Sequence, residues 1–269
     1  MQKLRFLFLG DIVGQPGVAL MKRWIPQLKA KHKVDAVIVN GENAGKNGKG
    51  ITESIAKDLL SYGASMITTG NHVWAQEETR HSLGRYPNVL RPINYPARCP
   101  GKGYGLFTVG SYEVAVINVQ GQAFMYDKVE CPLRSLDTIL TYISTKTRII
   151  LVDFHAEATA EKIVSALYVD GRVSAFVGTH THVQTADERI LPQGTAFITD
   201  LGACAAVHSS LGLRYEAILQ RTLTQMPFRA EVVKEPPFNV NGVLIDIDAT
   251  SGKAVAIERV HVLDSEPVL

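Results

Sequence analysis

Asp11, Glu42, Asn43, Asn71, His72, His155, His180 and His182 are the residues of this chain whose types and spacing can do chemistry. They offer carboxylate and amide oxygens and imidazole nitrogens, with no thiolate among them. Such a set suits a hard-to-borderline divalent metal such as Fe, Mn or Zn better than a cysteine-bound structural zinc. Four of the eight histidines belong to it, while His32, His81, His208 and His261 lie elsewhere. Seven or more donors are too many for one tetrahedral site. They suit two metals that share a bridging carboxylate.

Taken singly, each residue also fits a structural role. Asp11, after Gly10, has the place of a helix cap. Glu42 and Asn43 begin a loop rich in Gly and Lys, and Asn71-His72 after Gly70 reads as a turn. His155, ending an apolar run, reads as a buried structural histidine. His180-x-His182 is the stronger signal, because residues two apart in extended chain point to the same side.

The elements that must position these residues are short apolar runs ending in turn residues. Phe6–Leu9, Ala36–Val39, Met66-Ile67, Ile149–Val152 and Ala175–Val177 suit strands buried on both faces. Helical patterns lie between them, at about 17–31, 52–62, 74–83, 133–145 and 157–167. Pro16 stands at a helix start, and Thr52-Glu53-Ser54 can cap the next helix. Alternating strand and helix predicts an α/β fold. In such sheets ligands bind beyond the carboxyl ends of the strands, where the eight donors fall. Two later stretches alternate differently, around Gly110-Ser111 and around Asp248–Gly252, and predict hairpins with antiparallel strands. The Pro- and Gly-rich segment Arg91–Gly105 reads as an ordered surface loop. No repeat, low-complexity stretch or linker interrupts the chain, so one domain over residues 1–269 is expected.

Composition narrows the function classes. Of the 269 residues, 46% are hydrophobic and 20% charged, the values of an ordinary globular protein. Lys and Arg number 28 against 26 Asp and Glu, a net +2 that argues against bulk nucleic-acid or membrane-surface binding. Three scattered cysteines, Cys99, Cys131 and Cys204, make neither a disulfide framework nor a CxxC site. A reducing, cytoplasmic location is the expectation. The apolar run at Phe6–Leu9 stops at Gly10-Asp11, too short for a signal peptide, and no run approaches a membrane span.

Gly10-Asp11, Gly41-Glu42-Asn43, Gly70-Asn71-His72, His155 and Gly178-Thr179-His180-Thr181-His182 resemble, in order, the blocks of the calcineurin-like metallophosphoesterases. Those blocks run Asp-x-His, Gly-Asp, Gly-Asn-His, His and Gly-His-x-His. Val13 replaces the first block's histidine, Glu42 the usual bridging Asp, and Val73 the acid after Gly-Asn-His. These departures are features of the narrower YmdB-like phosphoesterase family. Gly10–Gly17, Asp153–Thr159 and Gly178–Asp187 are similar to that family almost letter for letter, and the resemblance runs from residue 3 to about 262. One segment departs: Asp200-Leu201-Gly202-Ala203-Cys204-Ala205-Ala206 stands where the family has Asp-x-Gly-Met/Phe-Thr-Gly-Pro. We expect that segment to border the substrate.

The resemblance implies a four-layer αββα sandwich with two mixed β-sheets, and a homo-oligomer. It also implies two divalent metal ions per chain, Fe or Mn with Zn as an alternative. Asp11, Glu42, Asn43 and His182 would hold one metal; Glu42 as bridge, with Asn71, His155 and His180, would hold the other. Two such cations lower the pKa of a shared water, and the resulting hydroxide attacks phosphorus in line. His72 aligns with the family's catalytic histidine and would protonate the leaving oxygen. The implied substrate is a small phosphodiester, a cyclic nucleotide with a 2′,3′ or 3′,5′ linkage.

Three other readings compete. Gly10, Gly14 and Gly17 resemble a dinucleotide-binding turn, but the spacing is not GxGxxG, and Asp11 and Pro16 sit awkwardly beside a pyrophosphate. A zinc amidohydrolase would carry its His-x-His after the first strand, not the fifth. A metal-binding interaction protein with little turnover has the changed Ala203–Ala206 stretch as its sole support.

Overall fold

Residues 2–268 are described by a computed structural model. The apolar run Phe6–Leu9 lies within β1 (Lys3–Ile12), the central strand of a six-stranded sheet. β2 (Ala36–Asn40) and β3 (Met66–Thr68) continue it in parallel. On the other side lie β10 (Ala203–Ala206), parallel to β1, then β11 (Phe238–Asp248) and β12 (Ala254–Asp264), which run antiparallel. The second six-stranded sheet begins with the antiparallel pair β4 (Tyr104–Val109) and β5 (Tyr112–Gln120). It continues in parallel through β6 (Ile149–His155), β7 (Ala175–Thr179) and β9 (Ala196–Ile198), and ends on antiparallel β8 (Arg189–Ile190).

Period-2 alternation sorts the side chains into layers. Phe6, Phe8, Ile38 and Met66 of the first sheet meet Val114, Val116, Leu151 and Val177 of the second in a core between the sheets. The opposite faces bury Leu7, Leu9, Val37 and Ile67 under α1 (Gly14–His32) and α2 (Glu53–Ser61). Likewise Ile117, Val152 and Phe176 lie under α4 (Pro132–Ile143) and α5 (Thr159–Tyr168). Helix, sheet, sheet, helix is the four-layer arrangement expected, and both sheets are mixed.

Thr52 caps α2 as predicted, its hydroxyl accepting from Ile55 N–H at 3.3 Å. The pattern at 74–83 forms helix only over α3 (Glu77–Ser82), with a 3-10 turn at Leu83–Arg85. The residues before it are held in successive turns, Val73 N–H to Gly70 O at 3.2 Å and Ala75 N–H to His72 O at 2.9 Å. Those turns present Asn71 and His72. Both predicted hairpins are present. Arg91–Gly105 is less superficial than expected: Arg91 and Asn94 are buried, and Asn94 donates to the carbonyls of Gln120 and Glu130. Strands β8 to β10 and α6 (Tyr215–Thr224) carry no clear pattern in the sequence; α6 buries no residue at all.

Candidate active site

The parallel strands of both sheets end along one edge, and their ends deliver the candidates. Asp11 is near the end of β1, Glu42 and Asn43 follow β2, and Asn71 and His72 follow β3. His155 is the last residue of β6, and His180 is the first after β7. All eight meet there. His155 Nε2 lies 3.1 Å from Glu42 Oε2, 3.0 Å from Asn71 Oδ1 and 3.1 Å from His180 Nδ1. His182 Nε2 lies 3.3 Å from Asn43 Oδ1 and 3.9 Å from Asp11 Oδ1. His72 Nδ1 is 3.1 Å from Glu42 Oε1.

Hydrogen bonds on the far side of each ring set which nitrogen faces inward. Thr179 Oγ1 donates to Asp153 Oδ1 at 2.7 Å, so it accepts from His155 Nδ1–H at 2.9 Å, and Nε2 carries the lone pair. His182 Nδ1–H donates to Leu211 O at 3.1 Å, again leaving Nε2 for the site. His180 is turned the other way: its Nε2 lies 3.2 Å from Glu157 Oε2, and Nδ1 faces the cluster. Carboxylate, carbonyl and hydroxyl partners of this kind orient metal-ligating imidazoles.

The cluster gathers more lone pairs than protons can serve. Asp11 Oδ1 is a buried carboxylate oxygen with no hydrogen-bond partner, one of few such atoms among the described residues. An unpartnered buried carboxylate oxygen is costly unless a cation faces it. Burial pushes the Asp11 carboxyl well above the ordinary carboxylate range, against the pull of His155. Burial would also raise Glu42, but His155 and His72 hold it well below that range. Burial lowers His155, yet the charges of Glu42 and Asp11 carry it up to about 9, so this spot favours positive charge. Burial and His155 push His180 down to about 3, and burial also lowers His182, keeping both rings neutral as metal binding requires. Donor separations of 3.0–3.3 Å match the edge of a coordination polyhedron; bonds of about 2.1 Å give edges of roughly 3.0–3.4 Å. The residues fit divalent-cation binding, and Glu42, His155 and His180 alone already form a candidate metal cluster.

Gly70 has a role that only glycine can fill. A Cβ there would overlap both the Glu42 carboxylate and the His155 ring. Gly70→Ala is therefore expected to displace two donors and to cost at least about 10-fold in cation affinity, by the scale of disturbed ligand shells. Titration of the variant with Mn²⁺ against wild type checks this.

The cluster floors a cleft of about 270 Å³, with Val13, Leu211 and Leu213 as an apolar wall and Lys49 and Glu157 at its sides. Larger clefts of about 640 and 560 Å³, around Arg148 and Arg134, contain none of these donors, and another of about 640 Å³, beside Arg259, contains only His182 of them. The cap reading of Asp11 is excluded by geometry: α1 has no side-chain cap, and Asp11 Oδ2 accepts from His180 N–H at 3.2 Å.

A model of the YmdB-like protein family matches residues 7–260. The chain belongs to that family. It is 46% identical over 261 residues to a 2′,3′-cyclic-nucleotide 2′-phosphodiesterase of Bacillus subtilis, covering 97% of this chain and 98% of that one. A novel phosphatase of Mycoplasma pneumoniae superposes with a TM-score of 0.92 at 32% identity, over 99% of this chain and 96% of that one. A hypothetical protein from Thermus thermophilus does so with a TM-score of 0.89 at 36% identity, over 97% and 100%.

Within this YmdB-like chain the Asp200–Ala206 segment does not border the cleft as expected. Ala203–Ala206 is β10, buried between β1 and β11, with Ala203 and Ala205 packed against Val13 and Val232 and Cys204 and Ala206 in the core under α1. Sequence reasoning also passed over Asp153, Thr179, Glu157 and the Leu211 carbonyl. A signal existed for Asp153, which lies two residues before His155 on one strand and so on the same face. The buried Asp153 carboxylate takes hydrogen bonds from Asn40, Thr68 and Thr179, tying β2, β3 and β7 together behind the candidate donors. Nothing in the sequence marks the Leu211 carbonyl. Among the described residues no helix is long and apolar enough to cross a membrane.

Proposed function

We propose that this chain is a metal-dependent phosphodiesterase with two divalent cations, Fe or Mn with Zn as an alternative, acting on 2′,3′- or 3′,5′-cyclic nucleotides or related diesters. The observation that carries the proposal is the meeting of seven donor side chains at the strand ends, the unpartnered Asp11 Oδ1 among them. Asp11, Asn43 and His182 would hold one cation and Asn71, His155 and His180 the other, with Glu42, whose oxygens meet His155 and His72, as the carboxylate they would share. The Bacillus subtilis relative's name supports the substrate class.

When bound, the cations supply a nucleophile at neutral pH and offset phosphate charge. The rest falls to the chain's own residues. Lys49 at the cleft side attracts the anionic substrate, and the wall of Val13, Leu211 and Leu213 limits water. In hydrolysis one oxygen from water bonds to phosphorus, one ester P–O bond breaks, and the leaving oxygen takes a proton. His72 lines the cleft with Nδ1 held by Glu42, which leaves Nε2 to donate that proton. The interaction-protein reading loses its support, since Ala203–Ala206 is a packed strand.

Chelation tests the proposal. Metal-stripped protein is expected to lose hydrolysis of 2′,3′-cyclic AMP to background and to regain it with Mn²⁺ or Fe²⁺. Hydrolysis unchanged by exhaustive chelation would overturn it.

A further inference from the structure

We propose that the buried ion pair Lys162–Asp200 is a positioning device that holds the His180-Thr181-His182 loop in the backbone geometry that turns both imidazoles to the cluster. It rests on the reading that His180 and His182 hold cations. His180 and His182 have φ of 100° and 65°, in the left-handed region. Such residues are costly and persist only where the surroundings impose them. Thr181 lies between them, and its N–H donates to Asp200 Oδ2 at 3.1 Å. Holding that amide holds both neighbours.

Asp200 is itself fixed from every side. Lys162 Nζ lies 2.6 Å from the same Oδ2, and both side chains are fully buried. Gly202 N–H donates to Oδ1 at 2.9 Å. The Asp200 backbone also closes the loop's far end, donating to Thr185 Oγ1 at 2.9 Å and accepting from Thr185 N–H at 3.1 Å. The ionised carboxylate makes the Thr181 bond charge-assisted, roughly twice as strong as a neutral one.

Room for the lysine is built in. Lys162 reaches from α5 past β7 to Asp200, and a Cβ on Gly178 would lie 3.0 Å from Lys162 Cδ and overlap the Thr199 carbonyl. A buried ion pair is weak evidence for stability, because an apolar pair of similar volume often does as well. What an apolar pair cannot do is present a charged acceptor to the Thr181 amide.

The test uses Lys162→Met, with the double variant Lys162→Met/Asp200→Asn beside it, because a lone buried Asp200 charge can prevent folding. Mn²⁺ affinity is measured by calorimetry and the ligand field by the absorption spectrum of the Co²⁺-loaded protein. Leu136→Ala, in the core under α4, serves as a variant that is destabilised away from the loop. Either pair variant, folded by circular dichroism, is expected to bind Mn²⁺ about 10- to 100-fold more weakly, with an altered Co²⁺ spectrum. Leu136→Ala should melt earlier yet bind as wild type. Wild-type Mn²⁺ affinity and an unchanged Co²⁺ spectrum in the folded double variant would overturn the proposal. Wild-type protein that binds no Mn²⁺ would instead overturn the functional reading beneath it.

Discussion

Glu42→Gln is expected to reduce turnover to background and to leave at least one metal position under-occupied. Glu42 presents Oε2 to His155 at 3.1 Å and Oε1 to His72 at 3.1 Å, and it groups with His155 and His180 as a candidate metal cluster. Its carboxyl is held well below the usual range by His155 and His72 despite complete burial, which favours the charged form a cation needs. Glutamine keeps the shape but replaces one oxygen by an NH₂ group, which points positive charge at a cation. The loss should exceed the ~10²–10³-fold that follows removal of a single transition-state donor. His72 also loses its charged partner, which adds to the effect. Steady-state rates on a cyclic nucleotide and metal analysis of the purified variant check the prediction together. Metal content in the variant equal to that of the wild type, at two ions per chain, would sink the bridging role.

His72→Ala separates acid catalysis from mere positioning. The ring is tied to Glu42 both through Nδ1 and through its backbone N–H, which donates to Oε2 at 3.2 Å. That attachment suits a proton donor held beside the proposed cations, and it also suits a prop for the Glu42 carboxylate. Leaving-group basicity decides between them. A ribose alkoxide needs a proton as the P–O bond breaks, whereas p-nitrophenolate leaves readily as the anion. If His72 is the acid, its removal costs about 10²-fold or more on a cyclic nucleotide. The loss on a p-nitrophenyl diester is then far smaller, with metal content intact. Equal losses on both substrates would make His72 a positioning residue.

The sequence by itself determined a good deal of this molecule. The strands that carry ligands are legible because each is a continuous apolar run, buried on both faces, that stops at polar turn residues. The two-sheet layering came only from the family resemblance, since Phe6, Leu7, Phe8 and Leu9 are all apolar and the run alone does not say which face meets the other sheet. The identity of all eight candidate residues was readable too, because carboxylate, amide and imidazole donors recur together at five strand ends, although each alone would pass for a cap, a turn or a structural histidine.

The tertiary structure alone decided how those donors meet. Asp11 and His180 are 169 residues apart, yet the His180 amide donates to the Asp11 carboxylate. No local pattern encodes that distance. The inward nitrogen of each ring was equally invisible, because it depends on Thr179, Glu157 and the Leu211 carbonyl. β10 escaped notice since Ala203–Ala206 has no β-branched or aromatic residue, and its strand conformation comes from pairing with β1 and β11. Lys162 reads in the sequence as a polar position on an amphipathic helix. It is fully buried because Asp200 meets it from a distant turn and Gly178 leaves it room. Side-chain type and spacing are local properties that a chain displays openly. Burial, partner and protonation arise from contacts between segments far apart, and only the folded chain supplies them.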